Sequence, residues 1–201
     1  MNAGGFPMTE MSKFEKRFVN RRGARAYQRL LSHLERAGQL PLAPTAAVLE
    51  LGAGNGNLSA LIQQRYHPAS IHVTDYDPEQ VALARQNLEH VFSPLPSTII
   101  VEQGDASHLG YPDRCFDLVI AHHVLHHLGD VPEILRGLEE ISRVLRPGGR
   151  LLYVEMFHKR AIRDHLTRRG FAIVFRERAL RLFTTADIVV AVRPQQLTAG
   201  T

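Results

Sequence analysis

The sequence predicts an α/β fold: a doubly wound sheet of seven strands, mostly parallel, with an antiparallel last strand and a helical extension at the amino end. Three observations predict it. From residue 46 onward, short apolar runs alternate with stretches of helical period. Several of those runs are apolar at every position, as strands covered by helices on both faces must be. The last two runs lie close enough together to pair antiparallel.

The first run, Ala46–Leu51, reads as a buried strand, and Leu58, Leu61, Ile62 and Tyr66 then recur at helical spacing. A second strand, Ser70–Asp75, is followed by Asp77, Pro78 and Gln80, which open a helix through an Asp cap, a first-turn proline and a reciprocal glutamine. Val81, Ala84, Leu88 and Val91 form that helix's inward stripe. A third strand, Thr98–Glu102, leads into Gly104-Asp105, and a fourth, Phe116–Ala121, is again wholly buried in pattern. Next comes a helix capped by Asp130 with Glu133 three residues on, carrying Leu135, Leu138, Ile141 and Val144 and stopped by Pro147-Gly148-Gly149. Strand five is Arg150–Glu155. A basic helix ends near Gly170, and Phe171–Arg178 and Ile188–Val192 form the closing pair. Strands alternating with helices imply right-handed crossovers and a single packed sheet. Residues 11–38 are helical, so the chain divides into an extension or lid over 1–45, a ligand-binding domain over 46–193 and a tail over 194–201.

A chain of 201 residues, 44% hydrophobic and 22% charged, is expected to make one soluble domain rather than two, and is neither disordered nor collagen-like. Cys115 is the sole cysteine, which excludes an intramolecular disulfide and a cysteine-based zinc cluster and suits a reducing cytoplasm. The absence of a signal-like or membrane-length apolar run supports the same location. The net charge of +4 is unevenly spread. Residues 13–29 hold seven basic side chains against Glu15, and residues 158–181 hold eight against Asp164 and Glu177. Such patches suit an anionic partner, RNA or an anionic lipid, or else they only solvate the outer faces of helices.

In a doubly wound sheet, ligands sit outside the carboxyl ends of the strands. After strand one stands Glu50-Leu51-Gly52-Ala53-Gly54-Asn55-Gly56-Asn57, whose glycines permit a tight turn and close backbone approach beside a helix amino end. The dinucleotide fingerprint would place its third glycine at 57, where Asn57 stands, and the Lys-Ser/Thr pair of a P-loop is absent. Four further motifs follow in order: Asp75, 23 residues after Gly52; Gly104-Asp105-Ala106; Phe116–Ile120 with Val124-Leu125-His126-His127-Leu128; and Leu145-Arg146-Pro147-Gly148-Gly149. Together these resemble the class I S-adenosylmethionine (SAM) dependent methyltransferases, the small single-domain group with an E-x-G-x-G-x-G loop and an LHHL segment. The resemblance covers roughly residues 46–155.

That resemblance implies a Rossmann-like fold, SAM as cofactor and S-adenosylhomocysteine (SAH) as its product. It implies that the loop from Gly52 to Asn57, with Ala53 and Asn55, wraps the methionine part, that Asp75 with neighbouring Tyr76 meets the ribose, and that Asp105 with Ala106 receives the adenine. Ala121 and His122 complete the lining. A carboxylate at Asp75 suits a vicinal diol because it accepts two hydrogen bonds. Glu50, inside an apolar strand, either meets the cofactor's ammonium or ties the loop together, since an unpaired charge there is expensive. Asp105 is otherwise a surface turn.

The run His122-His123-Val124-Leu125-His126-His127 admits two readings. Either His126 or His127 is a base that takes a proton from the acceptor, or the imidazoles pack the cofactor's rim. If helical, the segment would form two i,i+4 histidine pairs, but no H-E-x-x-H motif completes a metal site and none is expected. Between strands five and six stands only the short segment Met156–Gly170, so cover over the site is expected from residues 1–45, with Phe14 and Phe18 as a roof. The amino-terminal tyrosine motif of many relatives is absent. The Asn/Asp-Pro-Pro-aromatic motif of base methylases is absent after strand four, which disfavours base N-methylation, and a lone cysteine excludes arsenic methylation. The expected function is methyl transfer to an O or N atom of a small molecule. The alternatives are a methyltransferase of RNA or lipid headgroups, and a SAM-binding protein without activity.

Overall fold

The computed structural model describes residues 13–40, 42–180 and 185–195, without the side chains of 13–24 and of Leu180. The elements run α1 (Lys13–Arg36), β1 (Ala47–Leu51), α2 (Asn57–Tyr66), β2 (Ser70–Asp75), α3 (Pro78–Val91), β3 (Ile99–Gln103) and β4 (Phe116–His122). A three-residue 3-10 turn, Leu125–His127, then precedes α4 (Val131–Val144), β5 (Leu145–Glu155), α5 (Lys159–Arg168), β6 (Ala172–Leu180) and β7 (Thr185–Val192). The seven strands form one sheet in the order β3-β2-β1-β4-β5-β7-β6. All of the first five pair in parallel, and β7 inserts antiparallel between β5 and β6. Strand order reverses between β1 and β4, which is where ligands bind in open α/β sheets.

Alternation along each central strand divides the core into two layers. Val48, Ile71, Val73, Leu118, Ile120 and Leu152 face Leu31 and Leu34 of α1, Leu58 and Ile62 of α2, and Ala84 and Leu88 of α3. Leu49, Leu51, Val119, Leu151, Tyr153 and Val189 face Ile134, Leu138 and Ile141 of α4 and Ile162 and Leu166 of α5. Both faces of the strands are therefore dry, and the strand carboxyl ends are left to carry function.

Several local expectations change. The Asp77 carboxylate caps α3 through Glu79 N at 2.9 Å, and Gln80 makes no reciprocal bond; its Oε1 is buried without a hydrogen-bond partner among the described residues. Val91 is 44% exposed at the end of α3 instead of facing inward, and in α4 it is Ile134, not Leu135, that is fully buried. Pro147-Gly148-Gly149 lies within a strand rather than ending a helix: β5 begins at Leu145, paired with Phe116 across a register shift. The reason is nonlocal. Arg193, just past β7, exchanges backbone hydrogen bonds with Gly148 and Gly149 and so holds that turn in the sheet. The Phe14 and Phe18 side chains, Arg181 and the end of the tail lie outside the described residues.

Candidate active site

The loop after β1 has its shape because its three glycines, Gly52, Gly54 and Gly56, are all left-handed. Gly52 is left-handed (φ 59°), and a Cβ there would stand 2.4 Å from Val124 Cγ2, in the segment after β4. Gly54, also left-handed (φ 55°), would turn its Cβ toward open space, with Gln80 Oε1 nearest at 3.8 Å. A strip of bare backbone therefore lies beside a buried carbonyl oxygen that lacks a partner, an arrangement that a ligand rich in donors would complete.

Hydrogen bonds lace the loop to the ends of β2 and β3. Ala53 N donates to Thr74 O and Gly54 N to Asp75 Oδ2, both at 2.9 Å. Asp75 Oδ1 accepts from Asp77 N at 3.0 Å, and Gly104 N donates to Asp75 O. Asp75 is thus fixed between two backbone donors at the mouth of β2. Asn55 accepts from Asn57 N through its side chain and from Asn87 through its carbonyl. Tyr76 is 40% exposed, and its carbonyl accepts from Gln103. Asp105 folds Oδ1 back onto Ser107 N and Oγ, with Oδ2 3.9 Å from His108, while Ala106 is buried beneath it.

Glu50 is 3% exposed, and its carboxylate accepts from the Ser59 hydroxyl on α2. Burial pushes its pKa up to about 7, with the Asp75 charge adding to the rise and the Ser59 hydroxyl opposing it. So Glu50 ties the end of β1 to α2.

The histidine run is not an α-helix. His122 ends β4 with its ring edge-on to Tyr27 of α1 at 5.0 Å; His123 is left-handed; His126 and His127 lie on the 3-10 turn. The i,i+4 pairs that a helix would make therefore do not form. Ala121 is buried at the end of β4. His126 Nδ1 lies 2.7 Å from Glu155 Oε2 at the end of β5, a contact the sequence reading did not identify. The signal was present, because Glu155 ends an apolar strand as Glu50 nearly ends another, and a charge in that position needs a partner. Gln80 and Ser59 were missed as well, being polar residues on helix faces whose partners lie across the fold.

Residues 49–153 match the methyltransferase domain family. The chain is 34% identical over 115 residues to the 27-O-demethylrifamycin SV methyltransferase of Amycolatopsis mediterranei, a match covering 57% of this chain and 40% of that one. It therefore spans less than half the length of that curated relative. The crystal structure of the [4+2]-cyclase SpnF superposes with a TM-score of 0.71 at 19% identity, over 86% of this chain and 81% of that one. That of magnesium protoporphyrin IX methyltransferase from Synechocystis PCC 6803 with bound SAM gives 0.68 at 22%, over 92% and 86%. With the family matched across all of β1 to β4 except its first two residues, and into β5, this chain belongs to the methyltransferase domain family.

Proposed function

We propose that this protein transfers a methyl group from SAM to a small-molecule acceptor. One observation carries the reading: left-handed Gly52 and Gly54 expose backbone beside Asp75, which is itself anchored by two backbone N–H groups at the strand-order reversal. The loop from Gly52 to Asn57 would hold the methionine part, Glu50 would balance its ammonium, Asp75 with Tyr76 would take the ribose, and Asp105 with Ala106 the adenine. Ala121 and His122 line the remaining wall. When bound, SAM supplies a methyl group already activated by its sulfonium. The chain's own work is therefore to align the acceptor and exclude water. Within the amino-terminal segment, α1 would contribute cover, an assignment supported by Tyr27 against the His122 ring.

The small-molecule reading draws support from the rifamycin-named relative and from the ion pairs that occupy several arginines of one basic segment. Arg163, Arg176 and Arg178 converge on Asp187, Arg169 pairs with Glu139, and Arg160 with Asp164. Of these, Arg163 and Arg176 reach a buried carboxylate and so belong to the packing of the sheet. On α1, Arg25, Arg29 and Arg36 have no ion-pair partner among the described residues and line a groove with Arg65, which is the observation favouring RNA or an anionic lipid as the acceptor instead. Among the described residues no helix is long and apolar enough to cross a membrane.

The fold also serves a protein named as a cyclase, so activity needs its own test. The protein is incubated with methyl-labelled SAM and a cell extract separated into small-molecule, RNA and lipid fractions. Label in the small-molecule fraction, with SAH formed in equal amount, is expected. Label confined to RNA or lipid would replace the acceptor class, and bound SAM without labelled product would leave a binding protein.

A further inference from the structure

Glu155 is fully buried, and its Cα partner across the sheet is Asp187. A buried carboxylate needs a donor set, and among the described residues no arginine or lysine is paired with Glu155; Arg163 and Arg176 both go to Asp187, at 2.5 and 3.1 Å. Glu155 instead directs both oxygens to one three-residue turn. Oε1 accepts from Leu125 N at 2.8 Å, and Oε2 lies 2.7 Å from His126 Nδ1. The backbone contact fixes the carboxylate, and the carboxylate fixes the ring. Where Glu155 accepts from the ring, His126 carries its hydrogen on Nδ1, and Nε2 is left as the ring's acceptor.

The surroundings of the ring suit an acceptor site. His126 lies two residues past Val124, on the turn that follows β4, and a Cβ on Gly52 would meet Val124, so this turn and the loop after β1 share the carboxyl edge of the sheet where the strand order reverses. Phe157, 49% exposed, lies 5.3 Å from the His126 ring and offers an apolar surface. The titratable groups around it are His123 and His127 on its own segment, with rings 6.4 and 4.1 Å away, and Glu155 on β5, with Tyr153 and Asp187 behind it in the sheet.

Resting on the methyl-transfer reading, the geometry points to a base pair of residues: His126 Nε2 takes a proton from the acceptor and Glu155 is its positioning residue, so the acceptor is a hydroxyl or N–H compound with an apolar body. The acceptor's O–H or N–H bond breaks and its proton passes to Nε2. The electron pair left on oxygen or nitrogen forms the new bond to the methyl carbon, and the pair of the breaking carbon–sulfur bond stays on sulfur. The imidazolium is held against the Glu155 carboxylate until water takes the proton.

The test uses the full chain saturated with SAH, 15N-labelled at histidine, with 4-nitrophenol as the probe acceptor because its ionised form is coloured. Long-range 1H–15N spectra of the wild type at pH 8 are expected to show His126 as the Nδ1–H tautomer. In Glu155→Gln the amide oxygen serves Leu125 N and the amide NH2 donates to Nδ1, so the ring should switch to Nε2–H. The probe should ionise on the wild type about one pH unit or more below its value in buffer, through pairing with the imidazolium, and lose that shift in Glu155→Gln and in His126→Gln. His126→Gln leaves Glu155 and Leu125 in place and serves if the first variant folds poorly. An Nε2–H ring in the wild type, no tautomer switch, or a probe that keeps its buffer behaviour overturns the assignment. SAM affinity, measured alongside, separates the two readings: intact affinity with these failures removes only the base pair, and absent affinity removes the methyltransferase reading itself.

Discussion

Glu50 shows how one residue can work against the empty fold and for its ligand. Its carboxyl ionises near pH 7 when folded and near 4.5 in the unfolded chain. Between those values the folded state holds more protons, so unfolding free energy contributed by this group falls as pH rises from about 4.5 to about 7 and is level above. Glu50→Gln keeps an acceptor for Ser59 and cannot ionise. Ligand-free Glu50→Gln should therefore match the wild type near pH 4 and be the more stable protein above pH 7, by up to about 3 kcal/mol. Chemical unfolding across pH 4–8 checks this; parallel curves for the two proteins would refute the buried-carboxyl account. SAM affinity should rise through pH 7 in the wild type, where ionised Glu50 meets the ammonium, and should not in the variant.

Elements were legible where their cause is local. Apolar runs, the Asp77 and Asp130 caps and the glycine spacing are set by neighbours in sequence, and they recovered all seven strands. What sequence did not reveal depends on contacts across the fold. The Pro147–Gly149 turn is held in the sheet by Arg193, Gln80 turns its amide toward Gly54, and Glu155 meets a histidine 29 residues earlier. Loop and segment also meet at Gly52, where two separable effects forbid a side chain. Gly52→Ala should destabilise through contact with Val124 and through the left-handed backbone, the latter costing about 1–2 kcal/mol. Adding Val124→Ala should restore the contact part and leave the backbone part. Unfolding of the single and double variants measures both. A double variant as stable as the wild type would mean that φ carries no cost, and one no better than Gly52→Ala would mean that Val124 does not carry the clash.

At the scale of the whole molecule, α1 is continuous with the core: Leu31 and Leu34 are fully buried in the cluster that holds Val48 and Leu58, while Tyr27, further up the same helix, reaches His122. One helix thus joins the core to the His122 end of β4. The parallel strands bring the ends of β1, β2 and β3 to one edge, where Asp75 joins all three through Gly54 N and Gly104 N. Everything proposed for this protein depends on SAM occupying that edge. The most direct measurement is calorimetric titration of SAM into the wild type and Asp75→Ala, with each protein's fold checked by its unfolding transition. The account predicts one site on the wild type and a loss of about 1.5–3 kcal/mol in the variant, roughly 10- to 150-fold in Kd. A folded Asp75→Ala that binds SAM as tightly as the wild type, or a wild type that does not bind it, would contradict the account.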